Sequence, residues 1–323
     1  MYRVIMVPSD GSALSTHAIP LALALARPVN AIIRIVGVFE TPPVAAIYGT
    51  PVATGTLTGG VVGLEAMEEE RAARRDAQAD ELSELARQLS TSGGVIVETA
   101  VEEGQVVDAL RRYATSHHVD MIVIATHGRS GIGRAVLGSV ADALIRSVRC
   151  PVLLARAHGE SRITSTEPAS VRHVLVPLDE TPEGDAIVEH AVTLAAVTGA
   201  RCTLLHVSGA RLLSGINAPD ALVDPETRQR VEDGARAYLE RAAETFRARG
   251  IDTSTIVRCG ANPADAIIEY ASTEAVDLLA MATHGRHGIQ RLALGSVATE
   301  LLKRTLLPML LVRSDHQDHS GLR

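Results

Sequence analysis

Residues Ala125–Arg156, ATHGRSGIGRAVLGSVADALIRSVRCPVLLAR, return as Ala282–Arg313, ATHGRHGIQRLALGSVATELLKRTLLPMLLVR. Thr126-His127-Gly128-Arg129 maps onto Thr283-His284-Gly285-Arg286 at an offset of 157 (283 − 126). Gly138-Ser139-Val140 falls on Gly295-Ser296-Val297, Tyr113 on Tyr270 and Pro151 on Pro308 at the same offset. Self-similarity over this length means two copies of one domain. Near the front, Val7-Pro8-Ser9-Asp10 matches Val176-Pro177-Leu178-Asp179 at an offset of 169 (176 − 7). The two offsets differ by a net length change inside the halves, which we place in the Pro-, Gly- and Thr-rich stretch Thr41–Gly63. His158–Ser170 is polar, poor in apolar residues and contains Pro168, so it reads as a linker. The expected organisation is a domain over 1–157, a linker over 158–170, a second domain over 171–313 and a flexible tail over 314–323.

Each half reads β-α-β-α-β-α-β-α-β. In the first, strands are expected at Arg3–Pro8, Ala31–Phe39, Val95–Val101, Met121–Ala125 and Val152–Ala155. Helices are expected at Ala13–Arg27 with Ser12 as N-cap, Glu65–Leu89, Val106–Ser116 and Ser139–Val148. The second half repeats this from Val174–Pro177 to Met309–Val312. Strands that are apolar throughout, rather than alternating, indicate a parallel sheet covered on both faces. The fold class is therefore α/β: two tandem doubly wound, Rossmann-like domains, each a five-stranded parallel sheet with helices on both faces.

Composition narrows the function. The 323 residues are 46% hydrophobic and 21% charged, which is globular composition, and no run reaches the length of apolar sequence that spans a bilayer. The first residues lack the basic and apolar regions of a signal peptide, so a cytoplasmic protein is expected. A net charge of −7, with five Tyr, two Phe and no Trp, offers neither a basic face nor stacking rings for nucleic acid. Cys150, Cys202 and Cys259 are scattered, with no metal-knuckle or disulfide spacing. Asp315, His316, Asp318 and His319 sit in a tail that reads as frayed rather than metal-binding.

Chemistry concentrates at carboxyl ends of predicted strands, where doubly wound sheets bind ligands. Asp10 and Asp179 follow the first strand of each half and can accept hydrogen bonds from ribose hydroxyls or an adenine amino group. The same Asp10-Gly11-Ser12 also suits a turn and helix cap. After the fourth strand, glycines permit close backbone approach to a phosphate. Gly138-Ser139 and Gly295-Ser296 stand where a helix begins, so free N–H groups and the dipole favour an anion. Arg129, Arg134, Arg286 and Arg291 can supply positive charge. No GK[ST] follows, so this is not a Walker loop, and Gly131-x-Gly133 lacks the third glycine and the position of a dinucleotide fingerprint. His127 and His284 could donate protons to a phosphate, but no nucleophile–base pair recurs beside the loops. No catalytic residue is assigned, and at most weak ATP hydrolysis is expected.

These segments resemble the C-terminal signature of universal stress protein domains, and VPSDGS at 7–12 resembles their first-strand turn. The likeness covers nearly the whole chain twice and is weakest over Thr41–Gly63 and Gly209–Asp224. ATP-binding members carry Gly-x2-Gly-x9-Gly-(Ser/Thr) after strand four. Here the second and third glycines are Gly128 and Gly138, followed by Ser139; their counterparts are Gly285, Gly295 and Ser296. The first glycine is replaced by Ala125 and Ala282, which raises the question of whether that position needs a positive φ.

The resemblance implies an ATP-binding stress-response module, with Mg2+ or Mn2+ accompanying the nucleotide. It implies that Pro8, Asp10, Val38, Ala125, Gly128, Arg129, Gly138, Ser139 and Val140 line one site. Pro177, Asp179, Val207, Ala282, Gly285, Arg286, Gly295, Ser296 and Val297 line the other. Asp10 and Asp179 would meet ribose or adenine, Val38 and Val207 would present backbone to adenine, and the glycines and serines would meet the phosphates. Gly11-Ser12 becomes Glu180-Thr181, which sets a further negative charge, or a first-turn helix acid, at the second site. Members of the family often dimerise along the last strand. The two halves are therefore expected to pair with each other through Pro151–Ala155 and Pro308–Val312, while a further homodimer is left open by the sequence. A slow ATPase or nucleotidyl transferase, and a scaffold or small-ligand carrier that no longer binds nucleotide, are the competing readings.

Overall fold

Strand β1 (Val4–Pro8) lies at the centre of the first half, paired in parallel with β2 (Ile32–Phe39) on one side and β4 (Met121–His127) on the other. Beyond them lie β3 (Val97–Glu103) and β5 (Val152–Ala157). The second half repeats the pattern with β6 (His173–Pro177), β7 (Arg201–Ser208), β8 (Thr253–Cys259), β9 (Leu278–Ala282) and β10 (Met309–Val312). This computed structural model describes residues 2–40, 58–127, 137–157, 167–208, 224–260, 262–283 and 294–313.

The strand order is β3-β2-β1-β4-β5-β10-β9-β6-β7-β8, one ten-stranded sheet. Within each half every pairing is parallel; the antiparallel pair is β5 with β10, where Met309 faces Leu154, Leu310 faces Leu153 and Leu311 faces Val152. Each half reverses its strand order once, between β1 and β4 and between β6 and β9.

The all-apolar strands bury both faces, as their composition requires. Ile5, Val7, Met121 and Val123 enter one core layer; Met6, Ile122 and Ile124 enter the other. The first layer is covered by α1 (Ile19–Ala26), α2 (Thr58–Gly93), α5 (Val188–Thr198) and α6 (Pro225–Arg247). The second is covered by α3 (Val106–Ser116), α4 (Ser139–Ser147), α7 (Pro263–Thr273) and α8 (Ser296–Arg304). Both layers run through both halves, so the two domains share one core on each face of the sheet.

Two elements differ from the sequence reading. The helix expected over Ala13–Arg27 begins with a turn and a 3-10 segment, Ser15–Ala18, and becomes α-helical at Ile19. Hydroxyls compete with the helix here: Ser15 N–H and Oγ bond Ser12 Oγ and O, and Thr16 Oγ1 donates to Ala13 O. Pro20, in the first turn of α1, tolerates its missing N–H. Helix α2, Thr58–Gly93, extends past both ends of the helix expected over Glu65–Leu89; 41–57 lie outside the described residues. Among the described residues no helix is long and apolar enough to cross a membrane.

Candidate functional site

Where strand order reverses, neighbouring strands send their connections to opposite faces and leave a crevice at their carboxyl ends. Pro8, buried, closes β1, and Ser9 N–H donates to Val36 O at 3.0 Å, holding the chain beside β2 for one more residue. The chain then turns: Ser12 N–H donates to Asp10 Oδ1 at 3.0 Å, and Gly11 adopts φ +76°. Asp10 itself is exposed. Burial pushes its pKa up, but hydrogen bonds from Ser12 and Ser15 outweigh that and hold the carboxyl below its ordinary value. It is an anionic acceptor at neutral pH, aimed from the turn that precedes α1.

The second half solves the same turn differently. Glu180 takes the place of Gly11 and the same left-handed backbone, φ +60°. It precedes the N-cap Thr181 of a single helical turn, Pro182–Asp185, so it is not a first-turn acid as one sequence reading had it. Thr181 donates to Asp179 Oδ1 at 2.6 Å and accepts from Gly184 N–H at 2.9 Å. A Cβ on Gly184 would stand 2.2 Å from Asp179 Oδ1, so the absence of a side chain there is what lets the carboxylate sit inward and half-buried. The equivalent position in the first half is Ser15, whose Oγ lies 3.1 Å from Ser9 Oγ. The two aspartates share a place in the fold and differ in exposure.

After the fourth strand of each half, a glycine starts a helix. Gly138 is the N-cap of α4 (φ −58°, ψ 145°) and Gly295 the N-cap of α8 (φ −57°, ψ 154°). Neither has a side chain with which to cap, and the first N–H groups of an α-helix have no partner within it. Ser139 and Ser296, both exposed, and half-exposed Val140 and Val297 begin these helices. Among the described residues nothing lies within 4 Å of where a Cβ on Gly138 would stand. In the second half, Gly295 N–H donates to Thr283 O at 2.6 Å, which brings the start of α8 back to the end of β9. Such an arrangement binds anions: aligned N–H donors, the positive end of the helix dipole, and room for backbone approach.

Ala125 lies in β4 and Ala282 closes β9, and neither stands at positive φ. Alanine in place of glycine therefore adds no backbone strain at either position. Val38 and Val207 lie at the ends of β2 and β7, half-buried and buried, while Pro177 closes β6. Gly128, Arg129, Arg134, Gly285, Arg286, Arg291 and His284 lie outside the described residues; His127 closes β4.

Three neighbours were not singled out in the sequence. Glu81 of α2 reaches the first turn, its Oε2 2.9 Å from where a Cβ on Gly11 would sit. An acid from α2 thus stands at the first turn, where the second half carries Glu180. Tyr238 of α6 donates a short hydrogen bond to Asp185, and Gly184 makes room for Asp179. Glu81 and Tyr238 lie on long charged helices that read as solvated faces, so only the packing of α2 and α6 over the sheet ends reveals them.

With this geometry in place, comparison with known proteins is informative. The sequence model of the universal stress protein family matches residues 1–156 and again 170–313. The chain belongs to the universal stress protein family. A universal stress protein of Mycolicibacterium smegmatis is 26% identical over 226 residues, covering 70% of this chain and 71% of that one. Another, from Methanocaldococcus jannaschii, is 28% identical over 156 residues, 48% of this chain and 83% of that one. Among solved structures, a universal stress protein from Archaeoglobus fulgidus superposes with TM-score 0.65 at 18% identity, covering 96% of this chain and 98% of its own. A putative universal stress protein from Pseudomonas aeruginosa gives TM-score 0.59 at 16% identity, with coverage of 97% and 93%. These structural likenesses establish the shared two-half fold.

Within this universal stress protein a separate cleft of about 150 Å³ lies over the ends of β2 and β3, lined by Phe39, Glu68, Arg71, Ala72, Arg75 and Glu103. It shares no lining residue with either aspartate–helix pair. Its Arg75 is already bonded to Glu103 at 3.1 Å, so much of its charge is satisfied internally. Among the described residues no group of three or more His, Cys, Asp or Glu could hold a metal ion.

Proposed function

We propose that each half of this universal stress protein binds an adenine nucleotide, and that the protein acts in stress response as a regulatory or protective binding module. One observation carries the reading. An aspartate follows the first strand and a glycine-capped helix follows the fourth, after the two adjacent strands between which strand order reverses, and the arrangement occurs twice. In each site the aspartate would take ribose or adenine, the backbone near Val38 or Val207 would border the base, and the helix N-terminus would take phosphate oxygens. Gly128, Arg129, Gly285 and Arg286 complete the proposed lining. Ordinary extended backbone at Ala125 and Ala282 supports this reading over a scaffold that has lost nucleotide. ATP with Mg2+ or Mn2+ is the proposed ligand. The cation would be held chiefly by the phosphates, since nucleotides bring one with them.

We further propose that residues 1–157 and 171–313 work as an intramolecular pair, in which β5 and β10 replace the contact two separate chains would otherwise make. The ladder of Leu153 and Leu154 against Leu310 and Met309 supports this. The test of nucleotide binding is to denature the purified protein and identify released small molecules by mass spectrometry, before and after incubation with Mg-ATP and desalting. Retained adenine nucleotide supports the reading, and its absence in both samples counts against it.

A further inference from the structure

The arginine at the end of each half's last strand reaches into the other half. Arg156, in β5, is 6% exposed, and its Nη2 donates to Leu302 O at 2.7 Å and to Thr305 O at 3.3 Å. Those carbonyls belong to the last turn and C-cap of α8, in the other half. Arg313, which follows β10 directly, makes the reciprocal contact: its Nη1 donates to Arg146 O, in the last turn of α4, at 2.8 Å. The two residues are related by the repeat offset, 313 − 156 = 157. The last carbonyls of a helix lack partners within it, and a cation there complements the negative end of the dipole.

Helices α4 and α8 are the ones whose N-termini form the proposed phosphate cradles. The opposite ends of the arginine contacts also lead to a cradle. Arg156 Nη1 donates to Thr126 Oγ1 at 3.4 Å, at the base of the loop after β4. Val312, next to Arg313, accepts from Thr283 N–H at 2.8 Å, and Thr283 accepts from Gly295 N–H. The Arg156 side chain therefore joins the base of its own half's phosphate loop to the far end of the other half's cradle helix, while for Arg313 the corresponding link to the loop base runs through the carbonyl of the preceding Val312.

Resting on the nucleotide reading above, we infer that Arg156 and Arg313 are positioning residues that act crosswise: Arg156 fixes the second site by holding the C-terminus of α8, and Arg313 fixes the first by holding the C-terminus of α4. A nine-residue helix is a rigid rod of about 13 Å, so a shift at one end is carried to the other. Donors that meet a phosphate tolerate displacements of only about 0.5 Å before binding suffers. Neither site is complete without the other half.

The test is a set of calorimetric titrations with Mg-ATP on the full chain. Gly138→Val leaves only the second site and Gly295→Val only the first. Into each background Arg156→Met or Arg313→Met is introduced, keeping the length of the stem. Arg156→Met is expected to weaken the second site by roughly fivefold and the first far less; Arg313→Met is expected to do the reverse, with partial recovery by Arg313→Lys. Losses of equal size at both sites, or larger at the arginine's own site, overturn the inference while leaving nucleotide binding intact. Should buried Arg156→Met fail to fold, the Arg313 arm decides alone, since that side chain is only half-buried. A wild-type chain that binds no Mg-ATP overturns the nucleotide reading and this inference together.

Discussion

At Gly138 the fold itself does not demand glycine. Its φ of −58° suits any residue, and among the described residues a Cβ there meets nothing within 4 Å. On the proposed reading, a glycine there leaves the backbone accessible to a phosphate. Gly138→Val is accordingly expected to cost about 0.5–1 kcal/mol, as a poorer N-cap, while abolishing nucleotide binding at the first site. Thermal unfolding and a single-site titration check the two halves of that statement. At Glu180 the reverse holds: φ of +60° is costly for a side-chain-bearing residue, and Glu180→Gly is expected to stabilise the protein by roughly 0.5–1 kcal/mol. A urea midpoint at or below that of the parent would contradict it. The aspartates were legible in the sequence because they repeat. Their unlike exposure was not, because it depends on Ser15 against Gly184 and on packing by α2 and α6.

Among the elements, β6 carries a buried titratable group at its first residue. His173 is 2% exposed, its Nδ1 lies 3.0 Å from Glu274 O and its Nε2 2.9 Å from Thr203 Oγ1, tying β6 to β7 and to the end of α7. Burial pushes its pKa below the ordinary histidine value, and Arg201 adds to this, against a rise from its bond to Glu274 O and from Asp277 and Glu274. The unfolded chain takes up that proton near pH 6.5 while the folded chain still resists it. This contribution to stability is therefore complete above about pH 7 and is lost as pH falls through 6.5 toward the folded value. Half-buried His190 is shifted the same way, chiefly by desolvation. Urea unfolding at pH 7.5 and 5.5 should show lower stability at the acid value, and His173→Gln should shrink the difference. An unchanged difference would remove His173 from the account. The helix expected over Val106–Ser116 stands there as α3. The start of α2 at Thr58 was not legible, because Gly59 and Gly60 disfavour a helix locally.

At the scale of the whole molecule, two half-sheets become one. Leu153 and Leu310 face each other in the β5–β10 ladder and are both fully buried, so strands that would be exposed edges in separate domains are paired. The fragment 1–157, expressed alone, should restore that pairing by self-association through β5, visible as a dimer in sedimentation velocity; a well-behaved monomer would contradict the proposal that this edge needs a partner. Repeat arithmetic and apolar strands made the duplicated fold readable from sequence. The arginines that cross between halves were not readable, since a single arginine at a strand end looks like any surface cation until the opposite helix is in place.

The central claim is that two switch-point crevices hold nucleotide phosphates against the starts of α4 and α8. It is tested most directly by titrating Mg-ATP into the intact protein and into the double variant Gly138→Val/Gly295→Val. The account predicts saturable binding heat in the first and none in the second, with both proteins folded. No heat with the intact protein, or the same heat with the double variant, would contradict it.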